Sequence, residues 1–228
     1  MFNSLEQPHL RLSPTFGLGF LTVLTTCFFV LHNISSSFPD NLIGHFLQSE
    51  KMKAVEEIPA YIIHSPTCSE RHDIVADLQQ KTKATIVDAI LHPDGRIGCG
   101  LSHLLVAELA KQNHPDSHYL VFEDDCVLKK TWKSCLKGSE SVDVLYLGYN
   151  DTCEHTVFGT HALYLSPRAR DMILYYTQDE LKNGLPYDWI VSKLCREHHL
   201  QVHLPLPRDM YCFQKPGLRS MITGNIRH

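Results

Sequence analysis

Tyr119-Leu120-Val121-Phe122-Glu123-Asp124-Asp125 decides how this chain is read. Four apolar residues form a short buried strand that runs straight into three carboxylates. Like charges this close repel unless a cation neutralises them or water screens them. Hard divalent ions such as Mn²⁺ or Mg²⁺ favour an oxygen-only setting and keep positions open for phosphate oxygens. If the strand continues, Glu123 and Asp125 point one way and Asp124 the other, so two of the three can face one ion. The competing interpretation is an acidic turn that simply ends a strand.

Outward from this stretch, apolar runs alternate with helical patterns. Strands are expected at Ala60–His64, Thr85–Leu91, Val142–Leu147 and Ala162–Leu165, with a last one in VHLPLP near the end. Helices are expected after Ser69 as N-cap, with Ile74, Val75 and Leu78 on one face, and at Leu101–Lys111. A further helix starts at Ser166-Pro167, a cap followed by proline in the first turn, and another covers Tyr187–His198. Continuously apolar strands alternating with helices predict an α/β fold with a mixed, largely parallel sheet flanked by helices on both faces. Ligand sites in such sheets lie beyond the carboxyl ends of strands.

Two other stretches bear on chemistry. Gly98-Cys99-Gly100-Leu101-Ser102-His103 suits a diphosphate or sugar pocket, its glycines forming a flexible lead into the helix whose amides can approach a ligand. A plain loop with a helix cap explains it equally. Pro186-Tyr187-Asp188-Trp189 sets an acid between aromatic rings, as sugar sites do, although Asp188 also suits a helix amino terminus.

Thr15–Ile34 has no charge between Thr15 and Leu31 and is about long enough to cross a membrane. It is expected to be an uncleaved signal anchor, with residues 1–14 as a short cytoplasmic tail, 35–58 as a stem and 59–228 as the folded domain. Arg11 and His9 before the apolar tract, with Asp40 after it, orient the chain as a single-pass type II membrane protein. The rival is a cleaved signal peptide, for which the tract is long and lacks an A-x-A site. The formal net charge of −4, without a lysine or arginine block, gives no footprint for nucleic acid. Eight cysteines include no C-x-x-C pair, which argues against a zinc ribbon or thioredoxin-type site. No phosphate loop of the G-x-x-x-x-G-K-[ST] kind is present, which argues against a phosphotransferase.

Taken in order, Glu70-Arg71, RIGCGLSH (96–103), YLVFEDD, GTHALYLS (159–166), PYDW (186–189) and FQKPGLRS (213–220) resemble the glycosyltransferase family that includes bacterial lipopolysaccharide galactosyl- and glucosyltransferases and the collagen galactosyltransferases. The similarity runs from about Ala60 to Ser220, and the joint order and spacing of the motifs is far more specific than any one of them. The resemblance implies a GT-A-like, Rossmann-related domain and inverting transfer of galactose or glucose from a UDP-sugar. It implies that Glu123, Asp124 and Asp125 hold Mn²⁺ (or Mg²⁺) and the diphosphate. It further implies that Arg71, Gly98, Ser102 and His103 line the nucleotide-sugar pocket, that His161, Gln214 and Ser220 border the same cleft, and that Asp188 is the second acidic position and candidate base. The acceptor would be a glycan, a lipid-linked or a protein group. The location would be a Golgi or ER membrane in a eukaryote, and an envelope or host membrane for a bacterium or virus. The alternative is a non-catalytic relative that binds sugars or a partner.

Overall fold

The computed structural model describes residues 58–218. The expected tail, the anchor at 15–34, all but the last residue of the stem, and Ser220 lie outside them. Among the described residues no helix is long and apolar enough to cross a membrane.

In chain order the elements are β1 (Ala60–His64), α1 (His72–Thr82), β2 (Thr85–Asp88), α2 (Gly95–Asn113), β3 (Tyr119–Glu123), β4 (Cys126–Leu128), β5 (Val144–Tyr146), β6 (Asp151–Cys153), β7 (Thr156–Phe158), β8 (Ala162–Leu165), α3 (Pro167–Lys182), α4 (Tyr187–Glu197), β9 (Val202–His203) and β10 (Cys212–Gln214). Six strands form the main sheet in the order β2-β1-β3-β8-β5-β9. β1 runs parallel to β2 and β3, and β5 runs parallel to β9. β8 alone is reversed, antiparallel to β3 and β5. The sheet is therefore mixed and largely parallel, as the apolar strands predict. Two small antiparallel pairs, β4 with β10 and β6 with β7, stand apart from it.

The continuous hydrophobicity of the strands follows from burial on both faces. Tyr61, Ile63, Tyr119, Val121, Leu163 and Leu165 face a core built with Val106 and Ala107 of α2, Ile173 of α3 and Ile190 of α4. Their neighbours Ala60, Ile62, Leu120, Phe122, Ala162 and Tyr164 face a second core with Ile74, Val75 and Leu78 of α1, Trp132, and Leu128 of β4. Each fully buried side chain of this size stabilises the fold by about 1.5–3 kcal/mol. In these central strands no face is left for polar residues, so the period-2 alternation of a half-solvated strand is missing, whereas the edge strands β2 and β9 are largely exposed.

Two local expectations need correcting. Ser69 does not cap α1; Ser69–Arg71 forms a 3₁₀ turn, and α1 begins after it with no side-chain cap. That turn buries Arg71 to 4% exposure. Nor is the segment before Leu101 a flexible lead: α2 starts at Gly95, where the Asp94 carboxylate accepts the Arg96 amide at 3.0 Å, and Gly98–Gly100 lies inside the helix. The glycines are there for close packing. A Cβ on Gly98 would stand 2.7 Å from the Ile90 carbonyl oxygen, and one on Gly100 would stand 2.5 Å from Leu181 Cδ2. The Ser166 cap, by contrast, is as expected, its hydroxyl accepting the Ala169 amide at 3.1 Å.

The two glycines predict different outcomes. Alanine improves helix propensity by about 1 kcal/mol at either site. Leu181 can turn its δ-carbons away, so Gly100→Ala is expected near neutral. The Ile90 backbone has no such freedom, so Gly98→Ala is expected to lose about 1–3 kcal/mol in urea unfolding. A Gly98→Ala chain as stable as the parent would refute the close-approach argument.

Candidate functional site

β1 and β3 are parallel neighbours with Ile63 opposite Glu123, so both strands end at the same edge of the sheet. The acidic turn therefore meets His64, Ser65 and the 3₁₀ turn that carries Arg71. Asp124 Oδ2 accepts the Ser65 amide at 3.0 Å and lies 3.0 Å from His64 Nδ1. Asp124 Oδ1 accepts from Arg71 Nη1. Asp125 Oδ2 is 3.6 Å from the same guanidinium nitrogen, and its Oδ1 accepts Gln214 Nε2 at 3.3 Å. Burial acts to lower the Arg71 pKa, but the charges of Asp124 and Asp125 outweigh it and raise the pKa above its ordinary value. A cation thus already sits at the acidic turn, and it belongs to the protein.

Glu123, the last residue of β3, is turned the other way. Its Oε1 accepts the Thr160 hydroxyl at 3.1 Å and lies 3.5 Å from His103 Nε2. His103 is 2% exposed, and its ring stacks on Tyr187 at 4.2 Å with an 18° interplanar angle. Arg71, Gly98, Ser102, His103, Glu123, Asp124 and Asp125 line one cavity at the carboxyl ends of β1 and β3. Seven of the residues singled out from the sequence are therefore brought together.

Within that cavity their parts differ. The Ser102 hydroxyl donates to the Gly98 carbonyl at 2.7 Å and accepts the Ile90 amide at 2.8 Å. It pins the segment after β2 to α2 and has no hydrogen left to offer a ligand. His161 and Gln214 border a second trough with Tyr149, Asn150, Arg208 and Phe213. Gln214 connects the two spaces through Asp125. His161 is 1% exposed, and neither ring nitrogen makes a regular hydrogen bond; its polar neighbour is the Cys212 sulfur. Burial opposes the thiolate at Cys212, but Cys126 and His161 outweigh it and bring the pKa down to about 6.

Asp188 lies in the first turn of α4, beside Gly159, whose amide it accepts at 3.4 Å. Its pKa is raised, chiefly by burial and further by the charge of Glu123, against the pull of backbone amides. It lines neither cavity. His64, Ser65 and Thr160 were missed as site residues, while Cys99 and Tyr187 entered only as members of the GCGLSH and PYDW stretches. Cys99 stands one helical turn before His103 within the first of these.

A charged cleft at the carboxyl ends of parallel strands in an α/β sheet is the ligand-binding arrangement of doubly covered α/β enzymes. The sequence matches glycosyltransferase family 25 (LPS biosynthesis protein) over residues 45–171, and the chain belongs to that family. It is a glycosyltransferase by that membership. The matched segment includes Arg71, the Gly98–His103 stretch, the acidic turn and His161, while Asp188, Gln214 and Ser220 lie beyond it. Comparison with curated proteins gives no match. Among solved structures the chain is similar to the crystal structure of a glycosyltransferase involved in the glycosylation of the major capsid of PBCV-1. The two share 11% identity with a TM-score of 0.44, over 64% of this chain and 81% of that one.

Removing Arg71 leaves two buried carboxylates without their cation. Arg71→Met is expected to destabilise the chain by about 3–5 kcal/mol, and adding Asp124→Asn to recover part of that loss. Strictly additive losses in urea unfolding would show that the pair does not interact. Asp188 gives a pH signature. A carboxyl whose folded pKa is raised supports the fold below its unfolded value, near pH 4, and loses that support as pH rises through the folded value. Asp188→Asn should therefore match the parent at low pH and become the more stable chain above that window. A stability difference that does not vary with pH would contradict the shift.

Proposed function

We propose that the chain transfers a hexose, galactose or glucose, from a UDP-sugar to a hydroxyl of a glycan, lipid-linked or protein acceptor, with inversion at the anomeric carbon. The observation that carries this is the pairing of a buried cation, Arg71, with an acidic turn in a cavity at the strand ends. Ile63, Ile90 and Leu91 give that cavity an apolar side, and Arg71 gives it a charged one. An apolar base and an anionic diphosphate are matched by those two sides.

In the transfer, the bond from the sugar C1 to the phosphate oxygen breaks while the acceptor oxygen bonds to C1 from the opposite side. Negative charge grows on the departing diphosphate, and the fixed guanidinium of Arg71 stabilises it without reorganising. The acceptor hydroxyl loses its proton to a base. Asp188 is the candidate: it is held by the Gly159 amide, next to the Thr160 that bonds Glu123, and a carboxylate whose pKa is raised is a better base than an ordinary one.

The Mn²⁺ or Mg²⁺ suggested by the sequence fits only part of the acidic turn. Asp124 already has partners at both oxygens, His64 and Ser65 on one and Arg71 on the other. Asp125 is engaged by Arg71 and Gln214, and Glu123 is turned toward Thr160 and His103. An ion at the acidic turn would share one of these two carboxylates with its protein partners and would add positive charge beside the diphosphate. In the same proposal residues 15–34 tether the domain to a Golgi, ER, envelope or host membrane.

The test is UDP release from a panel of UDP-sugars by the full-length chain in detergent, with and without Mn²⁺. Release from UDP-galactose or UDP-glucose is expected, and Asp188→Asn should lower it by roughly 10²–10⁴-fold while UDP binding is kept. Undiminished release by Asp188→Asn would remove Asp188 as base. Neither release nor UDP binding by the parent would favour the non-catalytic sugar- or partner-binding relative.

A further inference from the structure

Cys99, His103 and Glu123 each present one ligand atom, and these atoms lie within 4.8 Å of one another. The geometry behind this is simple. Cys99 and His103 are four residues apart on α2, hence on one face of the helix. Glu123 ends β3, against which that face packs. Two rigid elements therefore aim a thiol, an imidazole and a carboxylate at one point on the cavity wall.

The surroundings hold the groups in place. Stacking on Tyr187 fixes the plane of the His103 ring, and the Thr160 hydroxyl donates to Glu123 Oε1 at 3.1 Å. An outer partner of this kind commonly orients a metal-binding carboxylate. The 3.5 Å between His103 Nε2 and Glu123 Oε1 is long for a hydrogen bond, and it suits two ligands on one ion better. Ligands at about 2.0–2.3 Å from a tetrahedral zinc stand roughly 3.3–3.8 Å apart. His103 and Glu123 already stand at that spacing, and the widest separation in the trio, at most 4.8 Å, is about 1 Å beyond it.

We propose that Cys99, His103 and Glu123 form a zinc site whose fourth position opens into the cavity beside Arg71. Sulfur, nitrogen and oxygen together select Zn²⁺ over Mg²⁺ and Mn²⁺, which prefer oxygen throughout. Three protein ligands with one position open is the pattern of a zinc that meets a substrate or water, rather than of a purely structural one. Occupancy takes up Glu123, so Zn²⁺ and a Mn²⁺ or Mg²⁺ held by Glu123 exclude each other. The site rests on these three residues and shares only Glu123 with the transferase proposal.

Cobalt reports on such a site directly. The full-length chain, stripped of metal by a chelator and titrated with Co²⁺, should show a thiolate-to-cobalt charge-transfer band and intense visible bands, saturating at one ion per chain. Zn²⁺ should abolish the bands and Mg²⁺ should not. Cys99→Ser, nearly isosteric and checked for folding by urea unfolding, should lose the charge-transfer band and weaken Zn²⁺ binding by more than about tenfold. Asp125→Asn should keep both. A band that survives Cys99→Ser, or one that Asp125→Asn removes, overturns the site. Zn²⁺ should also slow alkylation of Cys99 but not of the exposed Cys153. Equal rates with and without Zn²⁺ overturn it too. UDP-sugar turnover by a chain that shows no cobalt band would end the zinc proposal and leave the transferase standing.

Discussion

The contact between Arg71 and the turn that begins at Asp124 governs the site. Two carboxylates at 5% and 1% exposure repel each other, and a neighbouring positive charge offsets that repulsion. Arg71 supplies it from a 3₁₀ turn that follows β1, and β1 is held beside β3 by the parallel register of Ile63 with Glu123. The main-chain pairing of the central strands thus sets the distance between the opposite charges. The ion pair in turn allows a charged group to sit at the floor of a cavity instead of at the protein surface. Removing Arg71 would leave Asp124 and Asp125 buried together without its charge.

The opposite side of the cavity is set by α2, and its position depends chiefly on Gly98. Gly98 lets the helix pass the segment after β2 at a distance no other residue permits, and Gly100 lets it pack on Leu181 of α3. Ser102 bonds the same segment to the helix. The motif residues of this stretch therefore act mainly through packing. They place Cys99 and His103 opposite Glu123, and the chemistry of the helix face is a consequence of how closely the helix can lie.

The acidic turn has three distinct side chains although it reads as one cluster in the sequence. Asp124 is an anchor for Arg71, His64 and the Ser65 amide. Asp125 is shared between Arg71 and Gln214. Glu123 looks toward His103 and Thr160. This division arises because β3 ends at Glu123 and the chain turns there, so the strand alternation that would pair Glu123 with Asp125 does not continue.

The sequence by itself determined the layers. Strands buried on both faces must be apolar throughout, and helices that cover them must carry an apolar face, so Ala60–His64, Tyr119–Phe122, Ala162–Leu165 and the Ser166-Pro167 helix start were legible locally. The acidic turn and its place after a buried strand were legible too, as were Arg71 and the polar residues of α2 that line the cavity. The short strands β4, β6, β7 and β10 were not, because three residues hold too little pattern to separate strand from loop. Nor was the reversed direction of β8, since orientation within a sheet leaves no mark on a fully buried strand. Which carboxylate meets which partner was decided only by the tertiary structure. Arg71 and Asp124, or Glu123 and Cys99, lie far apart in the chain, and a contact at that separation depends on the packing of whole elements rather than on any local preference.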